Sequence, residues 1–338
     1  MKALVTGGSG FLGRRIVAEL LDLGAQVRCF LRPSSSAAPI LAHEGGERVE
    51  IVRGNLGRRD DCLQAMADCD VVIHAAAELV GATPALFLTN VTATRTFASA
   101  AAEVGVHRFV LVSSLGVYDA KRVPEGGILD EQCPIDSKPY LRDPYSYSKV
   151  VQEEVCWALH SSERLPLVVV RPGVIYGPGK DCFSARVGIR LGSLVLVMGR
   201  RQLMPYTHVV NCAAGVVRAG LAEDVEGDAF NLIDDGLITG AELLKRRRSA
   251  VGPIRALTVP YRAISALSGA CEWYHRVSRG QLPAVLTRYK SASMWRSIGY
   301  SNEHAKTRLG WEQRVKFDDG LQETFDWMRN HRTAEAGA

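Results

Sequence analysis

Tyr145 and Lys149 stand four residues apart in Tyr145-Ser146-Tyr147-Ser148-Lys149, which opens a helix after Arg142-Asp143-Pro144. That spacing puts a phenol and an ammonium on one helical face, one turn apart. A phenol ionises unaided only near a pKa of about 10. An ammonium beside it favours the phenolate and makes the tyrosine a usable acid/base near neutral pH. A Tyr-x-x-x-Lys pair alone also arises by chance, so its weight comes from its company. The run Arg108-Phe109-Val110-Leu111-Val112-Ser113-Ser114 reads as a strand ending in two serines, and Leu115-Gly116-Val117-Tyr118 follows it.

The chain opens on Met1-Lys2-Ala3-Leu4-Val5-Thr6-Gly7-Gly8-Ser9-Gly10-Phe11-Leu12-Gly13, followed by an amphipathic stretch to Leu23. Strand, glycine turn and helix follow in that order. Gly7 permits the tight turn, Gly10 lets the backbone approach a pyrophosphate, and Gly13 lets the helix pack on the strand. The helix N-terminus then faces the anion. The glycines are spaced Gly7-x-x-Gly10-x-x-Gly13, unlike the G-x-G-x-x-G of ordinary dehydrogenases.

The elements that position these groups alternate along the chain. Residues 25–33 read as a second strand, 49–56 as a third strand and loop, 70–77 as a fourth and 167–170 as a sixth, with a returning strand at 228–233. Helical stretches at 90–104 and after Pro144 intervene. Alternation of this kind implies a parallel sheet covered by helices on both faces, with ligands at the carboxyl ends of the strands. Ala75, Ala76 and Ala77 leave room there for a cofactor. His74 reads as a satisfied core histidine, and Asn90 as a helix cap or a partner of backbone near the site. No Asp or Glu lies between Gln26 and Ala42, where NAD-binding folds place a ribose-binding acid. Leu31 takes that place, with Arg32 after it and Arg28 nearby, which suits a 2′-phosphate and favours NADP over NAD.

At 338 residues, 47% of them apolar and 23% charged, the chain has the composition of a soluble globular enzyme. A net charge of +5 and the single run Lys245-Arg246-Arg247-Arg248, read as a solvated helix end, argue for no nucleic-acid partner. The eight cysteines make no C-x-x-C pair and no metal-ligand spacing, as expected of buried thiols in a reducing compartment. No stretch reads as a signal peptide or a membrane span, so the expected location is cytoplasmic. The tail from Thr333 is expected to be disordered.

These residues resemble the extended short-chain dehydrogenase/reductase family, from Thr6–Gly13 through Ile73–Ala77, Asn90, Ser113–Tyr118, Tyr145–Lys149 and Arg171-Pro172-Gly173-Val174-Ile175-Tyr176-Gly177-Pro178 to Lys306–Trp311. The resemblance implies a doubly wound parallel Rossmann sheet with a smaller, mostly C-terminal substrate lobe. Residues 1–176, with 228–236 and 318–332 returning, would bind the dinucleotide; 177–227 and 237–317 would form the lobe. It makes Ser114, rather than Ser113, catalytic, Tyr145 the acid/base and Lys149 its modulator and ribose ligand. Asn55, where the family usually has Asp, would meet the adenine, and Pro172 and Val174 would border the nicotinamide. The full cofactor set is Gly7, Gly10, Phe11, Leu12, Gly13, Arg32, Asn55, Leu56, Ala75, Ala76, Ala77, Asn90, Val112, Tyr145, Lys149, Pro172 and Val174. A homodimer through the helices beginning near Asn90 and Tyr145 is implied too, although Val150, Val151, Val155 and Leu159 fit packing on the sheet equally well.

Within the family, sugar 4,6-dehydratases resemble one another in an Asp-Glu pair after the catalytic Ser/Thr; Leu115 and Gly116 stand there and transfer no protons. Nucleotide-sugar enzymes commonly place an Asn where Gly173 stands and an Arg where Met204 stands, leaving Arg186, Arg190, Arg200 or Arg201 as substitutes. The remaining resemblance is to the 3β-hydroxysteroid dehydrogenase-like branch, through "RPGVIYGPG", residues 259–286 and "KTRLGW". It implies an alcohol/ketone oxidoreductase acting on a mainly apolar small molecule. The alternatives are a nucleotide-sugar epimerase or reductase, and a non-catalytic dinucleotide sensor. The apolar stretch 259–277, flanked by arginines, is expected to wall a pocket or pack on its own lobe rather than lie on a membrane.

Overall fold

Ala3-Leu4-Val5 forms the first strand, β1 (Lys2–Thr6), with Ala3 and Val5 in one core cluster and Leu4 in the other. Alternate residues of a strand face opposite sides, so a strand apolar on both must lie inside the molecule. The computed structural model describes residues 1–192, 194–278 and 286–335. In it β2 (Gln26–Leu31), β3 (Glu50–Arg53), β4 (Val71–His74), β5 (Arg108–Val112), β6 (Leu167–Pro172) and β7 (Ala229–Leu232) join β1 in one sheet. Every pairing is parallel and the order is β7-β6-β5-β4-β1-β2-β3.

Helix α1 (Gly13–Asp22) packs with α5 (Val209–Leu221) on one face. On the other face α2 (Arg59–Met66) packs with α3 (Thr94–Val104), and α3 with α4 (Pro144–Glu163). The chain order reverses between β1 and β4, which opens a crevice at their carboxyl ends. The doubly wound α/β Rossmann fold is therefore as expected.

Several strands stop short of their expected ends. β2 ends at Leu31, β4 at His74 and β5 at Val112, because Arg32, Ala75–Ala77 and Ser113–Ser114 leave the sheet for the crevice. The helix expected at 90–104 is broken: Leu88–Ala93 is a π-helical turn before α3, so Asn90 caps nothing. Residues 180–225, read as helix and loops, also hold strands. Gly188–Leu191 pairs antiparallel with Leu194–Val197, which pairs in parallel with Arg255–Thr258, and Tyr206–His208 pairs with Val174–Tyr176.

Beyond the sheet, α6 (Gly240–Val251) carries the basic run, and its Arg247 is buried rather than solvated. Helix α7 (Tyr261–Val277) buries only Ile264 and Ser268, the latter against Ser291 at 2.7 Å, and leaves Leu267, Trp273, Tyr274 and Val277 exposed. Helix α8 (Phe317–Glu335) packs Leu321, Phe325 and Met328 on Tyr176, Met204 and Leu243. It carries the expected disordered tail as helix through Glu335; residues 336–338 of that tail, like 279–285 of the stretch 259–286, lie outside the described residues. No helix among the described residues is long and apolar enough to cross a membrane.

Candidate active site

The glycine turn after β1 is sterically closed. Gly7 sits at φ +71°, and a Cβ there would lie 2.8 Å from the Ala76 nitrogen. A Cβ on Gly13 would lie 2.0 Å from the Gly7 carbonyl oxygen, so α1 starts against the turn only because Gly13 has no side chain. Gly10 donates to that same carbonyl at 2.9 Å. The turn thus presents its backbone and the α1 N-terminus, free of acidic side chains, to the crevice. This is the cradle a dinucleotide diphosphate needs.

A cavity of about 310 Å³ occupies the crevice, within the size range of small-ligand sites. Of the expected site residues, Gly7, Gly10, Phe11, Leu12, Gly13, Arg32, Leu56, Ala75, Ala76, Ala77, Val112, Ser114, Tyr145, Lys149 and Pro172 line it. Three expected residues do not. Asn55 is exposed and its side chain accepts from Gly57 N at 2.9 Å within its own loop. Asn90 is buried behind the wall, exchanging hydrogen bonds with the Glu78 backbone at 2.8 and 2.9 Å and donating to Ser148 at 3.0 Å. Val174 packs instead on the cluster of Tyr176, Tyr206 and Phe317, and its neighbours Gly173 and Ile175 take the lining positions. Arg28 points away from the crevice as well: it is buried, pairs with Glu50 at 2.8 Å and donates to the Ala65 and Ala67 carbonyls. The lining also holds Leu31, which stands in the expected place of the ribose-binding acid, and Phe30, Ser35, Gly54, Glu78 and Lys180, which the sequence did not single out. Arg53 fixes the loop that carries Arg32 and Ser35 by donating to the Pro33 and Ser35 carbonyls at 3.0 and 2.9 Å.

Helix α4 brings the chemical groups together. Asp143 caps it by accepting from Ser146 N at 2.9 Å, which fixes the first turn and Tyr145 on it. Ser114, two residues past the end of β5, accepts from Gly116 N at 3.0 Å and lines the cavity together with Tyr145. Ser113 faces the interior and donates to Glu153. Lys149 is buried and donates to the Val112 carbonyl at 2.9 Å and to Gln152 Oε1 at 2.7 Å. Gln152 donates to Thr94 at 2.8 Å, Thr94 bonds His74 at 2.9 Å, and His74 bonds Thr6 at 2.8 Å. Thr6 in turn accepts from Ala76 N at 3.2 Å. His74 is thus a core histidine in a buried polar chain that runs from Lys149 to the glycine turn.

Burial pushes Tyr145 up to about 12, against the opposing effect of the Ser114 hydroxyl. Burial pulls Lys149 down to about 8, against the charge of Glu153. His74 falls to about 3 through burial and then the Lys149 charge, so it is neutral. The expected stabilisation of the phenolate by Lys149 is absent from the protein alone, because the ammonium is held by Val112 and Gln152.

The positions that distinguish family branches are equally plain. A Cβ at Gly173 would stand 2.0 Å from the Pro205 carbonyl oxygen, so no asparagine fits there without moving that backbone. Met204 is fully buried in a cluster with Tyr176, Tyr206, Leu243 and Phe317. Arg190 pairs with Asp181 at 3.4 Å, and none of Arg186, Arg190, Arg200 and Arg201 lines the cavity. No residue of α7 lines it either.

Residues 3–232 match the NAD dependent epimerase/dehydratase family. The chain is 29% identical to a 4-hydroxy-2-methyl-3-oxo-4-farnesyl-3,4-dihydroquinoline-1-oxide ketoreductase of Stigmatella aurantiaca, over 100% of this chain and 98% of that one. It is 30% identical to a 3 beta-hydroxysteroid dehydrogenase/Delta 5-->4-isomerase of Mycobacterium tuberculosis, over 71% of this chain and 63% of that one. The crystal structure of UDP-glucuronic acid 4-epimerase from Bacillus cereus in complex with NAD shares the fold, at 18% identity and a TM-score of 0.74 over 98% of this chain and 99% of that one. The chain belongs to the NAD dependent epimerase/dehydratase family and is an enzyme of the extended short-chain dehydrogenase/reductase type.

Proposed function

We propose that this enzyme interconverts a secondary alcohol and a ketone on a mainly apolar substrate, with Ser114, Tyr145 and Lys149 as the catalytic residues. The observation that carries the reading is that Ser114, Tyr145 and Lys149 line one cavity together with the glycine cradle. A nicotinamide dinucleotide, when bound, supplies or accepts the hydride. Tyr145 gives its hydroxyl proton to the carbonyl oxygen in the reductive direction, Ser114 hydrogen-bonds that oxygen, and Lys149 supplies positive charge behind them. Leu115 and Gly116 offer no acid or base for water loss. The blocked Gly173 position and the buried Met204 weigh against a nucleotide-sugar substrate, whose diphosphate would lack the usual partners. The similarity to a ketoreductase and to a hydroxysteroid dehydrogenase supports an apolar substrate. Tyr145→Phe is expected to bind dinucleotide but to lose about 10²–10⁴-fold in ketone reduction; full turnover in that variant would sink the reading.

The same reading takes NADP in preference to NAD through Arg32, which lines the cavity and follows Leu31 at the end of β2. Fluorescence titration of NADPH and NADH into wild type and Arg32→Ala decides it: a preference that collapses in the variant is expected, and equal binding of the two by wild type discards it. It also includes a substrate lobe made of 177–227 and 237–317, and a homodimer through the outward sides of α3 and α4. Val150, Val155 and Leu159 are buried in the chain's own core, and Val151 and Trp157, part-buried on α4, pack against that core as well. Sedimentation at micromolar concentration tests the dimer, and a single monomeric species rejects it.

A further inference from the structure

The segment after Val174–Tyr176 is a tight turn, Gly177-Pro178-Gly179-Lys180, in which Lys180 N donates to the Gly177 carbonyl at 3.1 Å. Gly177 sits at φ +144° and Gly179 at φ +108°, conformations that residues with side chains rarely adopt. A Cβ on Gly179 would lie 2.7 Å from Arg14 Nη2 and 3.4 Å from the Phe11 ring. The turn therefore rests directly on the glycine cradle and delivers Lys180 to the cavity wall. The Lys180 ammonium lies 5.7 Å from the centre of the Phe11 ring, and the Arg14 guanidinium carbon lies 5.7 Å from the same centre.

Two cations thus flank Phe11, and neither has a carboxylate within ion-pair distance among the described residues. Arg14 Nε is buried without a hydrogen-bond partner, and partial burial pulls the Lys180 ammonium below the ordinary lysine range. Glu78 is the one carboxylate in the lining among the described residues, and it forms no ion pair with either cation. Lys180 is exposed at the cavity wall and Arg14 is half-buried, so two unpaired cations beside the glycine turn raise the local potential and draw an anion to it.

We propose that Lys180, backed by Arg14, is an oxyanion site of this cavity, taking a phosphate or carboxylate oxygen at the Phe11 end of the glycine turn. The inference rests on the dinucleotide reading above, because the nearest source of such an oxygen is the cofactor's diphosphate. A carboxylate on the substrate offers the same chemistry from the opposite side of the cavity. The geometry favours the diphosphate, since Phe11 and Arg14 belong to the cradle and its helix.

Titration of NADH, NADPH, 3-oxododecanoic acid and its methyl ester into wild type, Lys180→Met and Lys180→Arg tests this at two salt concentrations. Lys180→Met is expected to weaken both dinucleotides about tenfold, as loss of one charge-assisted hydrogen bond does. Its binding should depend less on salt than that of wild type, and Lys180→Arg should retain affinity. A loss confined to the acid, with the ester and both dinucleotides unaffected, assigns the oxyanion to the substrate. Unchanged binding of all four ligands by Lys180→Met overturns the site while leaving the dinucleotide reading intact. A wild type that binds neither dinucleotide overturns both.

Discussion

Tyr145 and Lys149 are driven in opposite directions by the same burial, Tyr145 to about 12 and Lys149 to about 8. In the proposed mechanism reduction needs a protonated phenol and a charged ammonium, so Lys149 is expected to set the alkaline limb. The kcat/KM for ketone reduction is expected to be flat below pH 8 and to fall above it, as read from a pH profile of wild type. Gln152 accepts from Lys149 and anchors it, through Thr94 and His74, to the strands that carry the glycine turn. Gln152→Leu removes an acceptor from the charged form, so the limb should move to lower pH and kcat should fall with little change in KM. An unmoved limb would make Gln152 merely structural. Stability follows the same group. With the folded pKa below the unfolded value of 10.5, the unfolded chain binds more protons between pH 8 and 10.5, and stability rises with pH across that window. Lys149→Met is accordingly expected to be at least as stable as wild type at pH 7, as measured by denaturant unfolding, while losing activity.

Among the elements, the strand–turn–helix at the start of the chain makes the sharpest demand on its residue types. Gly13→Ala places a methyl group 2.0 Å from the Gly7 carbonyl oxygen, where only backbone can give way. A loss of about 1–3 kcal/mol in stability, with loss of dinucleotide binding, is expected. Gly24 has φ +74° but nothing within 4 Å of a Cβ, so Gly24→Asn should change stability by less than about 1 kcal/mol. Equal effects of the two changes would refute the steric account. This element was legible because periodicity and glycine spacing are local signals, as were β4, β5 and α4. Asn55 and Asn90 were not, since either side chain can serve a neighbouring loop or a ligand and only the fold decides which. Val174 was misplaced by one residue, and in a strand one residue reverses the face. Gly188–Leu191 escaped notice because its exposed residues carry no alternation, and Lys180 because its role depends on a turn folding back over residues far earlier in the chain.

Across the whole molecule, one buried charge network ties the carboxyl ends of the sheet to the helix that carries the site. Glu153 on α4 accepts from Arg171 on β6 at 2.7 and 3.0 Å, and from Ser113 at the end of β5. Arg171 also donates to the Tyr118 hydroxyl at 2.8 Å, and that hydroxyl donates to Asn231 on β7 at 2.9 Å. Three strands and α4 therefore converge on a single ion pair, both members of which are nearly inaccessible to solvent. A buried pair of this kind contributes little net stability, yet removing one partner strands the other. Arg171→Leu should cost about 3–5 kcal/mol in denaturant unfolding, because Glu153 is left charged and buried. Glu153→Leu combined with Arg171→Leu should recover much of that loss. If the fold then returns but Lys149, three residues from Gln152 on the same helix, no longer supports turnover, the network's contribution is to the placement of α4 rather than to stability. If stability and turnover recover together, the pair is a dispensable tie, and the site is held by the Asp143 cap and the Gln152 chain alone.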